Sequence, residues 1–330
     1  MRNKVAGRPD PPADMRSKNL RSVQLLAQDM LGRAAGSRIP TTIEYQKQLG
    51  VGSGTVQKAM AILENSGAVT LSRHGHLGTR LLEQDEGVLW SVSGRGQVRL
   101  VLHPPGAIDG FGLLQGLHTE FDKLSVPLDV RYLQGGEARA ELVTDGTVDL
   151  AVLSASAAGS LRRPLRRKLR TVELGAGIYY APGSLSVVRR ASGPKRPRRL
   201  RVAIDRASHD HHVLTEAEFP PGPKHAYVDC PYPEVLTALL ENRIDAGVWH
   251  NTLLPVPLAA MGLTVTPLTS AQVGGVIDSV SEAVLLLRRD DHALGHLVER
   301  IDVSVLVAAQ STLLGMDPAS PELHTQVWMR

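Results

Sequence analysis

Between Pro40 and Gly67 the chain can fold as two short helices but not as one long one, because Gly50-Val51-Gly52 interrupts the pattern. Thr41 followed three residues later by Glu44 has capping-box spacing, in which the Thr41 side chain accepts from the Glu44 amide. A helix is expected over Thr42–Leu49, stopped at Gly50. Ser53 is placed to cap a second helix running to residue 66 and closed by Gly67. Upstream, Leu20, Val23, Ala27, Met30, Leu31 and Ala34 recur at three- and four-residue steps. Residues 17–34 therefore read as a helix with one apolar stripe, ended by Gly36, behind a polar, flexible arm over residues 1–16. Two short helices joined by a glycine-containing turn make a helix-turn-helix unit.

The second helix of the pair has the polarity that a recognition helix needs. Val56, Ala59, Met60 and Leu63 make its inner face, while Ser53, Thr55, Gln57 and Lys58 gather at its N-terminal end and outer side. Such an end enters a major groove with hydroxyls and helix amides on phosphates, and Gln57 is able to read a base edge. The plainer alternative is a three-helix module that only packs on a larger domain. Against it, residues 68–71 alternate like a strand, Arg73-His74-Gly75-His76 is a basic turn, and residues 77–82 can return as a second strand. That is a wing, whose tip can lie along phosphates or in the minor groove. His74 and His76 have no cysteine partners, so no metal is expected there.

In order and spacing, Arg38-Ile39-Pro40-Thr41, Leu49-Gly50-Val51, Thr55-Val56, Ala59-Met60, Leu63-Glu64 and Gly67-Ala68-Val69, then Arg73, Gly75 and Gly78-Thr79, resemble the winged-helix domain of GntR-family transcriptional regulators. The resemblance implies a DNA-binding domain over residues 17–82. Members of that family carry an arginine just after the Ile39-Pro40-type start and another just after the Thr55-Val56-type pair. Here Ile43 and Gln57 hold those places, so the family's arginine contacts do not carry over. The residues left to meet DNA are Arg38, Thr41, Ser53, Thr55, Gln57, Lys58, Arg73, His74 and His76.

Charge distribution agrees. The net charge is only +4, but residues 1–82 hold 12 Lys and Arg against 5 Asp and Glu, residues 160–201 hold 13 against 1, and the remainder holds 12 against 27. A basic N-terminal module on an acidic body points to a polyanionic partner. The Arg-rich stretches of 160–201 read either as a further phosphate-contacting face or, more plainly, as solvated crossovers. With 42% hydrophobic and 21% charged residues, a chain of 330 can bury a real core in about two domains, which excludes disordered and fibrous classes. Cys230 alone cannot form an internal disulfide. The start has no apolar run of a secretory signal, and the longest apolar runs are too short to cross a bilayer. A soluble cytoplasmic protein without membrane attachment is expected.

Residues 83–96 read as a polar linker. Beyond them, strands over Val98–Leu102, 128–133, 148–153, 201–205, 226–229, 245–249 and 263–266 alternate with helices over 111–124, 137–144, His209–Glu218 and 232–241. Strand–helix–strand order implies parallel pairing with right-handed crossovers. Residues 142–152 and 239–248 share one plan: a helix end, a polar turn, an apolar residue, Asp149 or Asp245, and a buried strand. Two similar lobes are therefore expected, one over 97–184 and 270–330, the other over 185–269. The body resembles the type 2 periplasmic-binding-protein fold, and the whole arrangement resembles the YhfZ-type GntR-like regulators. The expected fold class is α/β, with an N-terminal α+β winged helix-turn-helix and a two-lobed, periplasmic-binding-protein-like C-terminal domain. The resemblance implies a small ligand between the lobes, on loops at strand carboxyl ends and helix N-termini.

Those loops nominate Ser154 and Ser156, then Arg206, Ser208 and His209, then Trp249, His250 and Asn251, with Pro104-Pro105-Gly106 leaving room for a backbone-bound ligand. Each has a plainer role as a loop residue capping a helix. Arg206 beside a helix start suggests a carboxylate- or phosphate-bearing effector. In His209-Asp210-His211-His212 the three histidines do not share a helix face, so no metal is expected. Cys230 lacks a paired base, and no phosphate loop, dinucleotide glycine fingerprint or Gly-x-Ser-x-Gly elbow occurs. No catalytic residue and no cofactor are expected. The reading is a regulator that binds a double-stranded DNA operator and answers to a small-molecule effector. A homodimer is expected, because one small winged helix makes few contacts. Two alternatives stand: an adaptor whose helix-turn-helix contacts protein, and an enzyme on the two-lobed fold.

Overall fold

The computed structural model describes residues 13–192, 198–317 and 320–328. The chain divides into two units. The first comprises residues up to 97 with 124–127 and 291–300; the second comprises 98–123, 128–290 and 301 onward.

The first unit holds α1 (Ala13–Leu31), α2 (Thr42–Leu49), α3 (Ser53–Asn65), β1 (Val69–Arg73), β2 (Thr79–Gln84) and α4 (Glu86–Val92). Its core is Val23, Leu26, Ala27, Met30 and Leu31 of α1, Tyr45 of α2, and Val56, Ala59, Met60 and Leu63 of α3. The α1 stripe differs from expectation: Leu26 belongs to it, Leu20 is 59% exposed and Ala34 lies beyond the helix. Residues 13–16 are helical rather than part of an arm, and residues 1–12 lie outside the described residues. Asp29 pins α1 to α2. Its carboxylate takes two 2.7 Å bonds from Arg33 and one of 2.5 Å from the Tyr45 hydroxyl.

The capping box is present, with Glu44 N donating to Thr41 Oγ1 at 3.2 Å and Thr41 N to Glu44 Oε2 at 2.6 Å. Gly50 ends α2 at φ 64°, a left-handed shape that costs other residues strain. Ser53 does not cap α3. The chain turns into the helix one residue earlier, so Gly52 holds the cap position with no side-chain bond and Ser53 is the first helical residue. Strands β1 and β2 form an antiparallel hairpin around a 3₁₀ turn at Gly75–Leu77. Ile39 N to Thr79 O (3.0 Å) and Leu81 N to Ser37 O (2.9 Å) tie the chain before α2 to the wing.

Residues 83–96 are not a linker. Gln84 still belongs to β2, Asp85 caps α4 by accepting from Val88 N at 2.9 Å, and Leu89 and Trp90 are buried. Apolar residues following a good cap fold back onto α1 instead of remaining in water.

The second unit begins with β3 (Val98–Leu102), α5 (Ile108–Lys123), β4 (Leu128–Tyr132), α6 (Gly136–Thr144), β5 (Leu150–Ser154), α7 (Ala155–Ser160), α8 (Arg163–Lys168) and β6 (Leu169–Gly175). It continues through β7 (Leu185–Arg190), β8 (Leu200–Ile204), α9 (His209–Glu218), β9 (His225–Asp229), α10 (Val235–Leu240), β10 (Ala246–His250) and β11 (Leu263–Pro267). After α11 (Ile277–Ser281) and β12 (Ala283–Arg288) comes α12 (His292–Val298), then α13 (Val303–Leu314) and α14 (Pro321–Trp328). Helix α12 departs from the expected lobe 270–330. It groups with the first unit, where Asp291 pairs with Arg95 and Arg300 with Glu86.

The two five-stranded sheets have one topology. Their orders are β4-β3-β5-β12-β6 and β9-β8-β10-β7-β11. The first three strands of each are parallel, as expected, while β12, β6, β7 and β11 run antiparallel to their neighbours. The duplicated aspartates occupy equivalent places. Asp149 N donates to Arg99 O at 2.8 Å while Arg99 returns bonds from N, Nε and Nη2 to the Asp149 carboxylate at 2.8–2.9 Å. Asp245 and Arg201 repeat this at 2.8 Å and 2.8–3.0 Å, and Asp245 also takes Arg190 at 2.9 Å. In sheet order each pair fastens the second strand, β3 or β8, to the entry of the third, β5 or β10, so both sheets are held in register at the same point.

Candidate DNA-binding face and ligand cavity

In the first unit Ser53, Gln57 and Lys58 are exposed at the start of α3 and Thr55 is half-buried, so that end presents two hydroxyls, an amide and a cation. Arg38 is exposed and lies against Gly78, where a Cβ would come within 2.8 Å of its Nε; Gly78 has φ 87°. Thr41 is half-buried and its hydroxyl accepts the α2 cap bond. Arg73 is committed to Glu64 of α3 through bonds of 3.0 and 2.5 Å, so the wing is latched to the helix and the arginine charge is matched. His74 is exposed beside Ser72 at 3.0 Å, and the His76 side chain lies outside the described residues.

In the second unit a cavity of about 310 Å³ opens between the two sheets, where the loops after β3, β4, β8, β9 and β10 converge. These are the carboxyl ends of parallel strands, the usual ligand position in open α/β sheets. Ser208, His209, Trp249 and His250 line it, as do Pro104, Pro105 and Gly106. Four nominated residues do not. Ser154 is fully buried, donating to Asp210 Oδ1 at 2.6 Å and capping α7 through the Ala157 amide at 2.9 Å. Ser156 Oγ stands 3.0 Å from His209 Nε2, behind the lining. Asn251 serves through its backbone, donating to Ser184 O at 2.9 Å and accepting from Ile108 N at 3.1 Å. Arg206 is 57% exposed on its side chain and pairs with Asp229 at 2.9 Å, because the end of the adjacent strand supplies a carboxylate. It therefore cannot anchor an anion in the cavity.

Beside the nominated Trp249 and His250, the chemistry of the cavity lies in residues not nominated as ligand-binding, Arg139, Asp210, His103, His211 and Tyr232. Arg139 on α6 is 3% exposed, held by Leu133 O at 2.9 Å and the Tyr179 hydroxyl at 3.2 Å. Asp210 sits across from it. Burial lifts its carboxyl to about 6 against the lowering effects of the Ser154 bond and Arg139. Burial pushes His103 and His211 down to about 4 and His250 to about 3, so all three rings are neutral at physiological pH. Asp205 N donates to His211 Nδ1 at 3.0 Å, which leaves the ring proton on Nε2. Tyr232 stacks on His250 at 4.7 Å and on Trp249 at 4.9 Å, giving the cavity a flat aromatic wall. A spacing signal for Arg139 was absent, since Arg139 sits in an alanine- and glutamate-bearing helix that reads as solvated.

Such a site suits a small, partly planar, polar molecule. The Ser156–His209 pair resembles a nucleophile and base, but among the described residues no carboxylate orients the other ring nitrogen of His209. Among the described residues no group of three or more His, Cys, Asp or Glu converges on one point, and no helix is long and apolar enough to cross a membrane.

Comparison with known proteins finds two family matches in the chain. Residues 34–81 match a helix-turn-helix domain, and residues 85–319 match the YhfZ C-terminal domain. The uncharacterized protein YhfZ of Escherichia coli (strain K12) is 29% identical over 293 residues, covering 88% of this chain and 93% of that protein. The crystal structure of YhfZ from Shigella flexneri superposes with a TM-score of 0.52 at 28% identity, covering 70% of this chain and 95% of that one. The chain belongs to the family of the YhfZ C-terminal domain, joined here to an N-terminal helix-turn-helix domain.

Proposed function

We propose that this protein is a transcription regulator whose affinity for a double-stranded DNA operator is set by a small molecule in the cavity of the second unit. The observation that carries this reading is the exposed start of α3. Ser53, Gln57 and Lys58 stand there free of the core, on a helix-turn-helix followed by a winged hairpin, in a chain that also holds a cavity with both aromatic and polar lining. A homodimer fits, since two heads reading two half-sites supply the contacts that one lacks. The effector is anionic in this reading, with Arg139 in place of Arg206 as its partner, and the protein acts in the cytoplasm without catalysing a reaction.

The test is fluorescence anisotropy of the purified protein on labelled DNA from upstream of its own gene, against a scrambled duplex, over a series of salt concentrations. Tight, sequence-preferring and salt-dependent binding that cell extract relieves is the expected result. Binding that is absent, or blind to sequence at every salt concentration, overturns the reading and favours a helix-turn-helix that contacts protein.

A further inference from the structure

The basic stretch at 160–201 separates, in the folded protein, into charges with internal work and charges without. Arg190 and Arg201 are bound to Asp245, and Arg190 also holds the carbonyls of Leu239 and Ile244. Arg189 lies over the Phe219 ring at 5.8 Å. Arg162 is shared between Glu137 and Glu141. Lys195 and Arg196 fall outside the described residues.

What remains is α8. Only Leu165 of this helix is buried, while Arg163, Arg166, Arg167 and Lys168 are exposed and have no acidic partner among the described residues. Arg289 extends the face. Its guanidinium donates to the carbonyls of Arg167 at 3.2 Å and Leu169 at 2.8 Å, so it is fixed beside the helix with its charge unmatched by those bonds. These five like charges repel one another, and Glu173 and Glu282, which line the same groove as Arg166 and Arg289, form no ion pair with them among the described residues. A polyanion on this face relieves the repulsion. The contrast with the remainder of the chain, where acidic residues outnumber basic ones 27 to 12, makes this the basic face of an otherwise acidic body.

We infer that the α8 face, with Arg163, Arg166, Arg167, Lys168 and Arg289, is a second phosphate-binding surface that takes the backbone of duplex DNA outside the bases read by α3. This rests on the DNA-binding reading above. The occupant is nucleic acid because the charges are mostly guanidinium groups, which pair with phosphate oxygens, and because the same chain carries a helix-turn-helix. No base is read, so the surface adds affinity and salt dependence without sequence preference.

The test compares the full-length protein with the triple variant R163Q/R167Q/K168Q by anisotropy, on a long duplex and on one trimmed to the operator. Each lost phosphate contact lowers the slope of log affinity against log salt by about 0.9. The triple variant is expected to show a slope shallower by about 2–3 on the long duplex, with about tenfold or greater loss of affinity at low salt. On the trimmed duplex it should match the parent, and its sequence preference should be unchanged. An unchanged slope on the long duplex overturns the inference while leaving the regulator reading intact; this is also the outcome if an acidic protein covers the face. If the parent binds no duplex, both readings fall. Arg167→Gln alone, at an exposed position, answers the same question should the triple variant misfold, with a slope shallower by about 1.

Discussion

Ser154 Oγ donates to Asp210 Oδ1 across 2.6 Å, tying the end of β5 in one lobe to the first turn of α9 in the other. Ser156 with His209 at 3.0 Å and Gln134 with Asp205 at 3.3 Å join the same two lobes nearby. Polar side chains, each able to find water on opening, hold the lobes at this place. A ligand needs only a modest differential affinity to shift such an equilibrium.

Ser154→Ala removes this bond and the cap on Ala157 together. The stability of the protein is expected to fall by about 1–3 kcal/mol, read from urea unfolding. Ser156→Ala, at a half-buried position, should cost less. Equal losses in the two variants would show that Ser154 has no special place between the lobes.

The pH dependence of stability follows from buried groups of opposite sense. His103, His211 and His250 have values lowered by burial, so their contribution is present above about 6.5 and is lost as pH falls toward 4. Asp210 has a value raised to about 6, so its contribution is present below the usual carboxylate range and is lost as pH rises through 6. Asp210→Asn keeps an acceptor for Ser154 and removes only the opposing titration. Between pH 6 and 4 the variant should lose stability more steeply than the parent, by at most about 1.4 kcal/mol per pH unit. Parallel stability curves for the two proteins would contradict this assignment.

The paired aspartates predict a graded result. Asp245 is held below the ordinary carboxylate range, at about 2, chiefly by the Arg201 hydrogen bond, and its stabilising contribution is lost only as pH falls toward that value. Asp245→Ala removes the carboxylate partner of both Arg190 and Arg201 and should cost about 1–3 kcal/mol. Asp149→Ala strands only Arg99 and should cost less in the same thermal or urea measurement.

At the DNA face, Gln57→Ala is expected to change sequence preference, and Lys58→Ala to lower the salt slope by about 0.9 with preference unchanged. Glu64→Gln frees Arg73 from its partner, so it should raise non-specific affinity and steepen the slope. Anisotropy on specific and scrambled duplexes separates the three. A Glu64→Gln protein that binds no more tightly than the parent would show that Arg73 does not face phosphate.

Much of the helix-turn-helix was legible because local chemistry writes its boundaries: the Thr41–Glu44 box and the left-handed Gly50 lie where their residue types demand. The repeat around Asp149 and Asp245 was likewise visible as a helix end, a polar turn, an aspartate and an apolar run, while the arginine that each meets on the neighbouring strand follows from the sheet pairing. Strands β6 and β7 were not seen: β6 carries Arg170, Thr171 and Glu173 among its apolar residues, and β7 ends on Arg189 and Arg190, of which Arg190 finds its carbonyls and carboxylate only in the folded sheet. The cavity was legible in its position but not in its charge. Arg206 sits in the expected loop, yet which carboxylate lies beside it depends on β8 pairing with β9, and Arg139 is buried only because α6 packs on its sheet.

The chain leaves one sheet after β6, builds the whole of the other from β7 to β11, and returns at β12. The two crossing segments are themselves joined, Tyr179 N donating to Ser281 O at 2.9 Å. A backbone bridge between Ala107 and Thr252, with Leu253 N donating to Gly106 O at 2.8 Å, fastens the lobes at a further point, so the two sheets meet along one seam rather than at a single link. Tyr179 and Tyr180 stand on the outgoing segment and also wall the cavity. An occupant that touches those rings therefore contacts the very segment that carries the chain from one sheet to the other.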